Sequence, residues 1–122
     1  METELSWSDW LALDKEKVGN NVPAKYGAYQ IRPIGATHAA YIGSATGVGG
    51  LKQRIGQRVS NPLRYLSVFE KQLMQIGLKL EFRYVVVDSL ELTLETESRL
   101  INDFKAEHND KLPPGNKQTP DK

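Results

Sequence analysis

The order of apolar and polar positions divides the chain into short strands and helices. Tyr26–Arg32 (YGAYQIR) mixes aromatic and β-branched residues and stops at Pro33, which predicts a strand. Ala39–Ser44 (AAYIGS) predicts a second one, and Gly35–His38 between them reads as a hairpin connection. Lys79–Val87 (KLEFRYVVV) is the best strand in the chain, and its VVV run predicts a central strand covered on both faces. Leu51, Ile55 and Val59 recur along one side of a helix. Asn61-Pro62 opens the next helix, with Asn as cap and Pro in the first turn. That helix runs to about Ile76, where Gly77 closes it. Asp88 with Glu91 resembles a capping box for a last helix reaching about Glu107. Near the start, Leu5, Trp10, Leu11, Leu13 and Val18 stand among charges, and Ser8 is placed to cap a short helix.

These elements predict one α/β domain, an α+β sandwich in which a small three-stranded antiparallel sheet is flanked by helices. Residues 1–25 are expected to form an N-terminal helical extension and linker, with GNNVPAK (Gly19–Lys25) as its turn-rich end. Residues 26–116 form the folded unit, and 117–122 a disordered tail. Thr46–Gly50 (TGVGG) is too rich in glycine for a regular element. It precedes a helix, as phosphate-holding loops do, but no GK[ST] follows, so flexible linkage is the better reading.

Composition narrows the function classes. With 122 residues there is room for one core, and no apolar run nears the length of a membrane span. There is no cysteine, which excludes disulfides and thiolate metal sites. METELSWSDW lacks the basic-then-apolar pattern of a leader, so a cytoplasmic location is expected. A net charge of +1 gives little support to a nucleic-acid partner. The distribution says more. Lys52, Arg54, Arg58, Arg64 and Lys71 share a stretch holding the single acid Glu70, which predicts a basic face.

Two anomalies point to chemistry. At helical spacing Leu90, Leu94, Ile101 and Phe104 share one face of the last helix, and Glu97 falls in its middle. A buried carboxylate costs several kcal/mol unless it is paired or binds metal. A structural arginine partner, a solvated edge and a metal or catalytic role all fit. Arg54 and Arg58, at i and i+4, repel each other unless both face an anion such as phosphate or both lie in solvent. Tyr29 and Tyr41 are ordinary strand aromatics. His38 and His108 are too few and too badly spaced for zinc.

Taken in order, the residues resemble the GIY-YIG nuclease family. Gly27-Ala28-Tyr29 stands in the place of the first triplet, and Tyr41-Ile42-Gly43 is a literal YIG. Arg54 in LKQRIGQR lies where the family carries its helix arginine. Glu97-Ser98-Arg99-Leu100-Ile101 resembles the helix with the metal-binding glutamate, and Asn116 after Pro113-Pro114 resembles the closing segment. The likeness runs from about Tyr26 to Asn116. It departs at Ala28, where the family has Ile, and at Arg58, where many members carry His or Tyr.

The resemblance implies an endonuclease that hydrolyses phosphodiester bonds in DNA, with RNA left open as a substrate. Glu97 would hold one Mg²⁺ or Mn²⁺, Arg54 would grip the phosphate, Tyr29 would act as general base and Tyr41 would orient water or phosphate. Arg58, Lys52, Arg64 and Asn116 would contact nucleic acid or brace the site. No separate DNA-reading domain fits, so specificity would be low, or would come from a homodimer or a partner protein. Two other readings stay open: a nucleic-acid-binding module of the same fold without catalysis, and a protein-interaction domain using Trp7 and Trp10.

Overall fold

Strand β2 (Gly27–Pro33) is where the architecture is anchored. In the computed structural model, which describes residues 5–116, it pairs antiparallel with β3 (Tyr41–Ala45) on one side and β4 (Leu80–Val86) on the other. Alternation along these strands separates two faces. Tyr29, Ile31 and Phe82 point to one, all fully buried. They meet Val18 and Val22 of α1 (Lys15–Asn21) and its C-cap, and Leu51 and Ile55 of α2 (Gly50–Ser60), in the main core. Ala28, Ile42 and Val85 point to the other face, where α5 (Leu90–Glu107) packs on β3 and β2. No helix among the described residues is long and apolar enough to cross a membrane.

The predicted strands β2, β3 and β4 are present, with β4 interior as expected. Among the described residues, however, the sheet has four strands in the order β1-β4-β2-β3, not three. The added strand, β1 (Leu11–Ala12), pairs with Glu81 and Phe82 of β4. Residues 5–25 are therefore built into the sheet and core, and are not merely an extension. Asp14, not Ser8, caps α1 by accepting from the Lys17 N–H at 2.8 Å. Ser8 instead ties the N-terminal segment to β4, its Oγ accepting from the Tyr84 N–H at 3.0 Å. The VVV run is covered on both faces only in part: Val85 is buried, whereas Val86 is 40% exposed.

The helix expected from Asn61 to Ile76 is two helices, α3 (Pro62–Tyr65) and α4 (Val68–Gln75). Leu66 between them is extended, and Ser67 with Glu70 forms a capping box that starts α4 afresh. α5 likewise opens on Ser89, whose side chain accepts from the Leu92 N–H at 3.1 Å, and not on Asp88. The expected tail, 117–122, lies outside the described residues.

Candidate active site

β3 is an edge strand, and the helices on both faces of the sheet overhang it. The space between them is a hollow of about 260 Å³. Tyr41 and Ser44 of β3 form its floor, Gln53, Arg54 and Gln57 of α2 one wall, and Glu97 of α5 the other. Tyr41 and Glu97 start from opposite faces of the sheet and meet around its edge. Three of the residues singled out in the sequence, Tyr41, Arg54 and Glu97, thus share one solvent-reachable space.

The reason for singling out Glu97 needs correction. Leu90 and Leu94 are 45% and 49% exposed, so the first turns of α5 overhang the sheet. The buried residues of the helix are Thr93 and Ile101. Glu97 lies between them on that same stripe, one turn from each, but is only half-buried, and its Oε1 accepts from Ser44 Oγ at 2.7 Å. Ser44 reaches it because strand alternation turns residue 44 toward α5. Sequence reasoning missed this partner, although the alternation was readable.

Tyr29 does not line the hollow. It is completely buried, one layer beneath Tyr41, with ring centroids 6.0 Å apart. Its hydroxyl accepts from Arg58 Nε at 2.9 Å. The role of general base expected for Tyr29 is therefore corrected: of the two phenols only Tyr41 opens on the hollow. Arg58 is also inside, 6% exposed, and not on a phosphate-facing surface. It lies 4.1 Å from the Tyr41 ring centroid and reaches Glu70 Oε1 at 3.4 Å. Burial opposes the charge of Arg58, but Tyr29, Tyr41 and Glu70 more than offset this and hold it protonated. Glu70 is itself fully buried and was absent from the sequence-derived site. The Ser67-x-x-Glu70 spacing of a capping box could have flagged it.

The phenol of Tyr41 holds its proton well above the ordinary tyrosine range. Burial is the main cause and neighbouring Tyr29 adds to it, while Arg58 and Arg54 pull the other way. Gly43 lets the two rings come together: a Cβ there would lie 2.7 Å from Tyr41 Cε2 and 2.8 Å from the Tyr29 hydroxyl. Gly50 has φ +63°, and a Cβ would meet the Lys25 backbone nitrogen at 2.4 Å. The first amides of α2 are spent on this close approach, Leu51 N–H on Lys25 O and Lys52 N–H on Pro23 O. The glycine loop is thus a packing device, not a free anion cradle.

Asn116 spends its side chain on the backbone of Ile42, accepting from N–H at 3.0 Å and donating to the carbonyl at 2.8 Å. It clamps the backbone of the edge strand β3, which is the bracing role, not a nucleic-acid contact. Lys52 and Arg64 are exposed on α2 and α3 and do not line the hollow. His38 and His108 do meet, edge to face at 4.6 Å, with His108 Nδ1 2.7 Å from Phe104 O. Among the described residues no three His, Cys, Asp or Glu gather in one place. Comparisons with protein-family models, curated proteins and solved structures found no match to this chain.

Proposed function

We propose that this protein is a metal-dependent endonuclease that hydrolyses phosphodiester bonds in DNA, and that the hollow at the β3 edge is its active site. One observation carries the reading: a guanidinium, a carboxylate and a phenol from three different elements line the same small polar space. The resemblance to GIY-YIG nucleases supplies the frame, since these are the residues it singles out.

The donor set suits a hard cation. One carboxylate beside the hydroxyls of Ser44 and Tyr41 offers oxygen alone, in a hollow open to water. Mg²⁺ or Mn²⁺ keeps several waters and needs few protein ligands, so Glu97 would hold it alone. Such a cation supplies stabilisation of charge on the phosphoryl and leaving oxygens. Ser44 fixes the Glu97 carboxylate through its hydrogen bond. Arg54, exposed at the rim, pairs with a non-bridging phosphate oxygen. Tyr41, not the buried Tyr29, is the residue that meets the attacking water, and its phenolate form takes the water's proton. Arg58 touches no substrate. Together with Tyr29 and Glu70 it fixes the Tyr41 ring from beneath.

A second reading, a nucleic-acid-binding module without catalysis, is favoured by the tightly held proton of Tyr41, which leaves little phenolate at neutral pH. Incubation with supercoiled plasmid separates the two. The endonuclease nicks with Mg²⁺ or Mn²⁺ and not with EDTA, and Arg54→Ala and Glu97→Gln each lower the rate by about a hundredfold or more. Salt-sensitive DNA binding without nicking, under any metal, favours the module. Nicking that persists in both variants defeats the site.

A further inference from the structure

The sheet face under α5 is polar where a covered face ordinarily is not. Ala28 and Val85 keep one end apolar. Toward the other end the two interior strands turn Gln30, Arg32, Glu81 and Arg83 to this same face. Arg32 is neutralised by Glu81 at 2.6 Å. Arg83 is not: its Nε donates to Gln30 Oε1 at 2.8 Å, and among the described residues it forms no ion pair. Burial and the neighbouring Arg32 both weaken its hold on its proton, so the charge is kept at a cost that an anion would relieve.

Aromatic rings surround this charge. The guanidinium of Arg83 lies 4.2 Å from the Trp7 ring centroid and 4.9 Å from that of Trp10, and Arg32 lies 3.7 Å over Trp10. Beside them a cleft of about 380 Å³ stays open, lined by Trp10 and Arg83 and, from α5, by Phe104 (one face of which stacks on His108) with the acids Asp103 and Glu107. If the tryptophans only covered the sheet, neither an open cleft nor an unneutralised arginine would be needed. Stacking walls beside a positive charge are what single-stranded nucleic acid binds to.

The geometry points to a subsite for one unpaired nucleotide of single-stranded DNA, its phosphate on Arg83 and its base between Trp10 and Phe104. The inference rests on the endonuclease reading and deepens it. Ile42 lines this cleft while its neighbour Tyr41 lines the hollow, so β3 joins the two sites. Along α5, Glu97 and Asp103 mark the two sites and are about 9 Å apart at 1.5 Å per residue. At about 3.4 Å per nucleotide of a stacked strand this is roughly three nucleotides. The preferred substrate would then be DNA with unpaired nucleotides next to the cut, such as a flap, an overhang or a melted stretch of supercoiled plasmid.

Trp7 and Trp10 are the only tryptophans, so intrinsic fluorescence reports on the cleft directly. The titration uses the full chain and Glu97→Gln in EDTA, where nothing is cut, with a short single-stranded oligonucleotide or its blunt duplex. A saturable emission change is expected with the single strand, and binding at least about fivefold weaker with the duplex. Arg83→Gln should weaken the single strand and lower the slope of log affinity against log salt by about 0.7, the share of one phosphate contact, while Arg83→Lys keeps the slope. Emission that ignores the oligonucleotide, equal affinity for duplex and single strand, or an unchanged slope in a folded Arg83→Gln each overturns the subsite. The strand comparison holds even if Arg83→Gln does not fold. Since no cleavage is read, the subsite and the nuclease reading can fail separately.

Discussion

At the scale of single residues, the hollow depends on side chains that do not reach it. Gly43 leaves room for two tyrosine rings, and a methyl group there would meet both. Gly43→Ala is expected to cost about 1–3 kcal/mol in urea unfolding and to impair nicking, since the displaced ring is that of Tyr41. Beneath the rings, Glu70 is the carboxylate partner of Arg58, and its Oε2 is buried without a hydrogen bond among the described residues. Glu70→Ala would strand a buried guanidinium. A loss of about 3–5 kcal/mol is expected by the same measurement, and a loss under 1 kcal/mol would show that the pair does not hold the site. Arg54 and Glu97 were legible in the sequence, although Glu97 through a face that turned out half exposed. Arg58 was misread for a physical reason. Position 58 stands seven residues after Leu51 and three after Ile55, on the buried stripe of α2, whereas charge alone assigns it to solvent.

At the scale of elements, the strands with clear alternation and the helices with clear stripes were legible, and the exceptions were short or locally capped. β1 is two residues long and has no period to read; its pairing with β4 supplies the order. α3 and α4 carry continuous helical character, and only the Ser67 cap separates them. Ser67→Ala removes the 3.1 Å hydrogen bond that Ser67 Oγ accepts from the Glu70 N–H, and leaves only the reciprocal bond from the backbone N–H of residue 67 to Glu70 Oε1. The expected loss is about 1 kcal/mol in thermal or urea unfolding, with a further drop in nicking if Glu70 then releases Arg58. Unchanged stability would contradict the assignment of Ser67 as the start of α4.

At the scale of the whole molecule, the hollow exists because two layers of helix overhang one edge of a sheet. Such a convergence joins positions 41, 54 and 97, which no local pattern links; only the order of landmarks along the chain suggested it. The chemistry assigned to it has a pH signature. Burial holds the Tyr41 proton above the ordinary range, so the phenolate is the minor form at neutral pH and grows about tenfold per pH unit. Nicking rates should therefore rise with a slope near one from about pH 6 to pH 9 and not level off, and Tyr41→Phe should flatten the rise. A plateau near neutrality would assign the proton to another group. A double-mutant cycle in single-turnover cleavage asks whether one site holds both the guanidinium of residue 54 and the carboxylate of residue 97. Residues working as one unit lose most of the rate at the first substitution, so Arg54→Ala with Glu97→Gln should be little slower than the worse single variant. Losses that multiply would mean that the two act independently and do not share one active site.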